Sequence, residues 1–532
     1  MEGQFDFVVV GAGSAGCALA NRLTEDGKYK VLLLEAGPRS HWLTQVPISF
    51  APLIDEPKAN WCYRSTPEDA TSGREIPIPR GRVLGGSSSI NGMVYVRGQQ
   101  LDFDTWAQLG NRGWSFEDVE PIFKRMEAYA DGGAERGQGG PLKVGIVRDD
   151  NPIYEALLNA GLEAGLPDNP DYNGATQEGI VRTQATIAKG RRMSAAYAYL
   201  DPIRSRQNLA IQTGALAKEL IFDEERCSGI RYTVGGQTRE AHVTREVILC
   251  GGAINSPQLL ELSGIGRAEV LQAHGIAVRK ELNGVGENLR DHVAPRMVFQ
   301  VKKPGVAYND RGRGLGLVGQ VLRYAFKREG LLSLPTAPVI GFIRTRPELE
   351  TPDIQYHFVP YRVVLENGKR SLGKDPGITI TVNQCRPESL GSIHIKSKDA
   401  QTAPDIHFNF FSAELDRRTL IDGMRFARRL MATSAMDELI GAEMQPGKVI
   451  ETDEDLLQFM RDKAETAYHP VGTCKMGSDP MSVVNNELKV HGVPGLRVAD
   501  GSIMPTLTSG NTNAPCIMIG EKCSDLLLAE HA

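Results

Sequence analysis

Phe5-Asp6-Phe7-Val8-Val9-Val10-Gly11-Ala12-Gly13-Ser14-Ala15-Gly16 opens the chain with an apolar run that ends in G-x-G-x-x-G. A short apolar run stopped by glycine reads as a buried strand. A helical pattern follows to Leu23, then a second run, Val31-Leu32-Leu33-Leu34, ending in Glu35 nineteen positions beyond Gly16. Strand, glycine turn, helix, strand and acid in that order are the dinucleotide-binding fingerprint in its proper setting. Gly11 permits the tight turn, Gly13 lets a pyrophosphate approach the backbone, and Gly16 lets the helix pack on the sheet. Ser14 and Ala15 open a helix whose free N–H groups and positive end suit phosphate. Glu35, followed by Ala36, is placed for the hydroxyls of an adenine ribose, and its charge disfavours a 2′-phosphate. Gly314-Leu315-Gly316-Leu317-Val318-Gly319 repeats the pattern without a preceding strand or a following acid-ended strand. It reads as a flexible loop leading into a helix.

A chain of 532 residues exceeds what one core usually holds, so two domains are expected. The strand Glu246–Cys250 and the stretch Leu496–Asp500 return to the strand–loop–helix style of the N-terminus. Between roughly 291 and 459, alternating strands at 354–359, 377–382 and 392–396 mix with helices near 316–328 and 413–433. The expected architecture is α/β plus α+β. A discontinuous Rossmann-like domain takes 1–150, 208–290 and 460–532. A substrate domain takes 151–207 and 291–459, built on an antiparallel sheet with helices on one face.

Composition narrows the class. Apolar content of 41% with 23% charge is that of a globular protein, and a net charge of −5 argues against nucleic acid. No apolar run approaches the roughly 18–20 residues of a membrane span. Glu2 and Asp6 stand where a secretory signal would be basic. Eight scattered cysteines form no C-x-x-C pair, and no His/Cys/Asp cluster has metal spacing, so free thiols, a cytoplasmic location and no metal are expected. The helix near 316–328 carries an apolar stripe, Leu317, Val318, Val321, Leu322 and Phe326, beside Arg323, Lys327 and Arg328. The favoured reading is a packed helix with one solvated face. The alternative is a peripheral membrane or electron-acceptor surface.

The loop Gly81-Arg82-Val83-Leu84-Gly85-Gly86-Ser87-Ser88-Ser89-Ile90-Asn91-Gly92 offers backbone N–H groups and little side-chain bulk, fit to lie against a flat ring system. With Tyr95, Gly98 and Asp104 it resembles the first signature of the glucose–methanol–choline oxidoreductases. Gly252-Ala253-Ile254-Asn255-Ser256-Pro257 and onward to Gly266 is similar to the second. The segments Asn283–His292, Arg386–Gly391, Ala467–Thr473 and Asn511–Pro515 follow in the family's order, so the resemblance spans almost the whole chain. It implies FAD. It places Arg82, Val83, Gly85, Gly86 and Ser87 at the cofactor and lines the flavin with Asn91, Gly92, Met93 and Val94. It adds Ala217 at the adenine, Trp61 on a loop covering the flavin, and Ala253, Asp500, Gly501, Asn511 and Thr512 as further contacts. Ile90 holds the position where some members carry a flavin-linked histidine, so the FAD is expected to be non-covalent.

Alcohol oxidation requires a base for the hydroxyl proton and an acceptor for the hydride. Histidine titrates in the right range for the first task. The resemblance assigns that role to His469 in Tyr468-His469-Pro470-Val471-Gly472-Thr473, with hydride passing to flavin N5. It assigns Asn513 to hold the substrate oxygen, and His292, His394, His407 and His491 are read as structural. Pro515 suits the first turn of a helix over 516–530, whose positive end the resemblance points at the flavin. The expected function is FAD-dependent oxidation of an alcohol to an aldehyde or ketone, with oxygen, a quinone or a redox protein as electron acceptor. The alternatives are a lyase or decarboxylase of the same fold, or a non-catalytic flavin-binding module. Leu331–Pro335 and Phe358–Tyr361 hint at a pocket for an uncharged or partly apolar alcohol.

Overall fold

The computed structural model describes residues 3–366 and 369–531. Two large sheets organise them. In chain order their strands are β1 (Gly3–Val10), β2 (Val31–Glu35), β3 (Gly179–Arg182), β4 (Leu209–Thr213), β5 (Ala215–Asp223), β6 (Arg226–Val234), β7 (Gln237–Leu249), β8 (Arg296–Val301), β9 (Val339–Ile343), β10 (Ile354–Val359), β11 (Gly377–Gln384), β12 (Ile440–Gln445) and β13 (Leu496–Val498). The helices that matter here are α1 (Ser14–Leu23), α2 (Pro152–Glu163), α3 (Gly252–Leu262), α4 (Gly314–Lys327), α5 (Glu414–Met431) and α6 (Asn513–Glu530).

The first sheet has the order β4-β2-β1-β7-β6-β5, with β13 beside β7. Strands β4, β2, β1, β7 and β13 run parallel, while β6 and β5 add an antiparallel extension. β2 is buried along its whole length and β1 over Phe7–Val10, which is why they read as unbroken apolar runs. Val10 pairs with both Leu34 and Leu249. The carboxyl ends of β1, β2 and β7 are therefore level, and the glycine turn, Glu35 and Gly251 meet at one edge, where ligands of such sheets bind. Helix α6 returns from the far end of the chain to lie on α1. A Cβ on Gly520 would sit 2.3 Å from the Ala15 carbonyl oxygen, so that contact needs glycine.

The second sheet is antiparallel, in the order β12-β8-β11-β10-β9-β3. Tyr356, Phe358, Ile380 and Val382 point to one face and share a core with Leu420, Met424 and Ala427 of α5. The other face of β10 and β11 carries Gln355, His357, Thr381 and Asn383, with Gln355 opposite Asn383 and His357 opposite Thr381. That polar face is turned toward the edge of the first sheet.

The α/β plus α+β architecture stands as expected, with three corrections of detail. Ser392–His394 pairs with Asp405–His407 outside the large sheet. The repeat Gly314–Gly319 is helix, not loop, because α4 begins at Gly314 itself. Helix α6 begins at Asn513 behind Thr512, three residues ahead of the expected 516, with Pro515 in its first turn as expected. Among the described residues no helix is long and apolar enough to cross a membrane.

Gly520→Val should destabilise the protein by about 1–3 kcal/mol, since the added atoms meet backbone that cannot yield. Thermal unfolding of the flavin-loaded protein against wild type measures this, with Gly139→Ala, which meets nothing within 4 Å and has no left-handed φ, as the control for an undisturbed fold.

Candidate active site

A cavity of about 670 Å³ runs between the two sheets, from Glu35 and Ala36 at one end to Thr381 and Asn383 at the other. Its near half is backbone. Gly11 turns at φ +108°, and a Cβ there would lie 2.4 Å from the Cys250 carbonyl oxygen. Gly86 presses on Gly13: a Cβ at Gly86 would come within 2.7 Å of the Gly13 Cα. A Cβ on Gly13 itself would meet no protein atom closer than 3.9 Å, so packing leaves room above it for a ligand. No side chain caps α1, which leaves its first N–H groups for phosphate. Glu35 accepts from the Ala12 N–H at 3.2 Å and the Gly37 N–H at 2.8 Å, which fixes the carboxylate at the cavity edge. Burial raises its pKa to about 7, against the pull of those N–H groups and of Arg82. In the wall, Thr336 Oγ1 and Asn383 Oδ1 are buried without a partner in the protein. A long cavity with room for a pyrophosphate, an acid at the ribose end and unsatisfied polar atoms at the other fits FAD.

Most of the expected cofactor residues line this cavity: Gly11, Gly13, Ser14, Ala15, Glu35, Ala36, Trp61, Gly86, Ser87, Asn91 to Val94, Ala217, Ala253, Asp500, Gly501, Asn511 and Thr512. Gly16, Arg82, Val83 and Gly85 stand behind its wall. A Cβ on Gly16 would lie 2.0 Å from the Gly11 oxygen. The Gly85 N–H donates to the Ala12 carbonyl at 2.8 Å, tying the serine loop to the nucleotide loop. Val83 is core, and Arg82 covers Trp61, which stacks on Tyr63. Asp500 is a brace, because its carboxylate accepts from the Gly252 and Ser502 N–H groups and the Ser256 hydroxyl. Buried Arg192, which no motif marked, donates to both the carbonyl and the side chain of Asn91 and pins the loop.

The far end carries the chemistry. Tyr468 adopts a left-handed φ of +70°, held by its N–H donating to Thr466 Oγ1 at 2.7 Å and by Arg80 on its carbonyl. Asp291 accepts from the His469 backbone N–H at 2.8 Å and from the Thr466 hydroxyl. The strained turn thrusts the His469 ring into the cavity. Asn511, not Asn513, is its partner: Asn511 Nδ2 lies 3.1 Å from His469 Nε2. Asn513 instead accepts from Ser14 Oγ at 2.8 Å, over the start of α1 and in the cofactor half. His292, read from the sequence as structural, is 2.9 Å from His469 through the two Nδ1 atoms.

The network fixes the tautomers from both ends. His292 Nε2 faces the Cys385 carbonyl at 3.0 Å, so it carries the hydrogen and His292 Nδ1 accepts. His469 Nδ1 must then donate, leaving a lone pair on Nε2. Gln355 Nε2 and His357 Nε2 both reach Asn511 Oδ1, at 3.1 and 3.3 Å, which turns the Asn511 amide nitrogen toward His469 Nε2 and again makes that atom an acceptor. Asn383 Nδ2 donates to His357 Nδ1 at 2.9 Å and settles the third ring. Burial holds all three rings neutral: it takes His292 and His357 down to about 4 and pushes His469 well below its ordinary value, helped there by His292, His357 and Arg80. The arrangement is a proton acceptor at His469 Nε2 with a hydrogen-bond donor beside it. Polar Gln355, His357, Thr381 and Asn383 at alternate positions of otherwise apolar strands were the legible signal for this wall.

A dinucleotide cradle that opens on a neutral histidine with an acceptor nitrogen is the arrangement of a flavin-dependent oxidoreductase acting on alcohols. The chain belongs to the GMC oxidoreductase family, whose N-terminal model matches residues 5–294 and whose C-terminal model matches residues 387–520. It is 40% identical to an oxygen-dependent choline dehydrogenase of Photobacterium profundum, covering 99% of this chain and 94% of that one, and 42% identical to one of Escherichia coli, covering 99% and 96%. Among solved structures it is similar to formate oxidase (TM-score 0.92, 29% identity, 100% of this chain and 99% of that chain) and to pyridoxine 4-oxidase from Mesorbium loti (TM-score 0.89, 28% identity, 99% of each). The protein is an FAD-dependent alcohol oxidoreductase. Ile90, buried beside the cofactor loop, offers no atom for a covalent link to the flavin.

In the wild type, flavin reduction by alcohol should stay on its plateau as pH falls through the ordinary histidine pKa of about 6.5, since a lowered pKa keeps His469 neutral to more acid pH. His292→Phe removes the acceptor that fixes the His469 tautomer. It should retain FAD, slow reduction by roughly 10–100-fold and move the acid limb of the profile, in line with the worth of ligand-orienting partners elsewhere. Stopped-flow reduction across pH measures both.

Proposed function

We propose that the chain oxidises an uncharged alcohol with an apolar body, using His469 Nε2 as the base and Asn511 as the holder of the substrate oxygen. The observation that carries this is the acceptor lone pair on His469 Nε2, required independently by the Cys385–His292 and Gln355–Asn511 ends of the network. Bound FAD supplies the two-electron acceptor. The protein supplies the rest. The Asn511 amide fixes the hydroxyl oxygen, His469 removes its proton, and the apolar walls keep water away.

The substrate class follows from the wall. Phe50, Val298, Val359, Tyr361, Val363 and Val364 line the arm beyond His469. The charges there are Arg74, Arg80, Arg296 and Lys463 against Asp462 and Glu465 among the described residues, an excess of positive charge. Glu465 is already engaged by Arg296 at 2.8 Å, and the Asp462 carboxylate by the Ser72 hydroxyl at 2.6 Å and the Gln458 amide at 2.9 Å. A quaternary ammonium, as in the choline of the relatives' names, would enter without a free carboxylate to meet it and beside net positive charge. A neutral alcohol with a hydrocarbon or aryl body meets no such penalty. Electron transfer to oxygen, the acceptor in those same names, is the first of the acceptors to try.

A panel of primary aliphatic alcohols, benzyl alcohol, glycol ethers and choline, run with oxygen and with an artificial electron acceptor, tests the class. Choline outperforming the neutral alcohols in kcat/KM sinks the substrate assignment. For the base, His469→Ala should slow flavin reduction by roughly 10²–10⁴-fold with FAD still bound. Asn511→Ala should cost less, while Asn513→Ala should weaken FAD retention more than the reduction rate. Near wild-type reduction by His469→Ala would show that another group takes the proton.

A further inference from the structure

Helix α4 is mounted with its apolar side outward. Leu315, Leu317, Val318, Val321, Leu322 and Phe326 are all exposed, with Leu315 at 91% and Phe326 at 83%. Only Tyr324 is buried. The side chains that tie the helix down lie on its other side: Gln320 Oε1 accepts from the Leu331 N–H at 2.9 Å, and the Tyr324 hydroxyl donates to the Gly190 carbonyl at 3.0 Å. At 100° per residue, Leu315, Val318, Leu322 and Phe326 form one line along the helix, and Gln320 and Tyr324 lie nearly opposite it. An apolar face of this kind on a surface helix marks an interaction site.

The charges around it say what covers it. From Arg311 to Arg328 the chain carries Arg311, Arg313, Arg323, Lys327 and Arg328 and no acid, in a protein of net charge −5. The tip of a neighbouring hairpin, Lys189-Gly190-Arg191, packs against Arg328 and adds two cations. Asp310, next to Arg311, and Asp149 and Glu329, paired with Arg311 and Arg323, offset only part of this. A second copy of this chain would bring the same cationic face against itself. An apolar ridge flanked by lysine and arginine fits instead the boundary between anionic lipid headgroups and acyl chains. We propose that α4 docks the protein on anionic phospholipid bilayers as a peripheral, in-plane helix.

The docking bears on the cavity. Arg313 donates to the Leu372 carbonyl, in the hairpin whose first strand includes the cavity residues Val363 and Val364. A docked α4 therefore sets the substrate arm beside the lipid, where an apolar alcohol partitions. The docking itself does not depend on which alcohol is oxidised.

Flotation of the FAD-loaded full chain with vesicles of equal parts phosphatidylcholine and phosphatidylglycerol tests it, with pure phosphatidylcholine as the comparison. Wild type should float with the anionic vesicles, less at high salt, and little with the neutral ones. Leu322→Glu/Phe326→Glu should lose roughly tenfold or more of the bound fraction, given the apolar area withdrawn. Its FAD content and its oxidation of a soluble alcohol should be unchanged. Phe326→Trp supplies a second readout, a blue shift of indole fluorescence on adding anionic vesicles only. Equal flotation of wild type and the double glutamate variant, no flotation of wild type, or a wild-type dimer that the glutamates dissolve would each overturn the proposal. Loss of alcohol oxidation in the His469 variant with flotation intact separates the two proposals.

Discussion

Everything in this protein hangs on how closely backbone can approach backbone at one edge of the parallel sheet. Gly11 touches the β7 end, Gly16 packs on Gly11, Gly86 rests on Gly13, and Gly520 brings α6 down on α1. Each contact is closer than a Cβ permits, and together they bring loops from residues 11–16, 81–92 and 511–513 around one slot. Residues some 500 positions apart, Ser14 and Asn513, share a hydrogen bond as a result. Dense glycine contacts are not needed for a sheet to fold. They are needed to put a phosphate-binding helix start, a ring-sized slot and the histidine turn within one ligand's length of each other.

The polar end of the cavity follows a different logic. His292 and His469 lie buried and His357 half-buried within one network, and protonating any of them would leave a positive charge beside the other rings with no carboxylate hydrogen-bonded to an imidazole among the described residues of that network. Burial therefore keeps them neutral, and a neutral imidazole must choose which nitrogen carries the hydrogen. Main-chain and amide partners make that choice: the Cys385 carbonyl at one end, Gln355 and Asn383 at the others. Asp291, the nearest acid, holds backbone and the Thr466 hydroxyl rather than an imidazole. Burial raises its own pKa to about 7, which limits the negative charge it brings to the site.

Helix α4 shows what a periodic pattern alone leaves open. The 3.6-residue stripe was plain, and the ordinary expectation was that it faced a core. The sheet offers it no such face: α5 already covers β10 and β11 on one side, and the cavity occupies the other. The anchor points at Gln320 and Tyr324 fix the rotation, and the apolar side is left to the outside.

By itself the sequence determined the nucleotide fold, because strand, glycine turn, helix and acid are local patterns whose physics is complete within about thirty residues. It also singled out His469 as the candidate base, since that residue sits in a turn dense with its own constraints. It did not determine which of Asn511 and Asn513 meets that base. The two stand on either side of Thr512, and the chain reaches them through Gly510 at φ +126° before α6 begins, so a change of direction between neighbours sends one side chain to His469 and the other to Ser14. His292 and Arg192 were likewise silent, because their meaning lies in a carbonyl 93 residues away and a loop about 100 residues away. Periodicity and local turns are written in the order of residues. Tautomer, side-chain direction and the outward face of α4 depend on which distant groups fill the neighbouring space, and only the packed structure decides that.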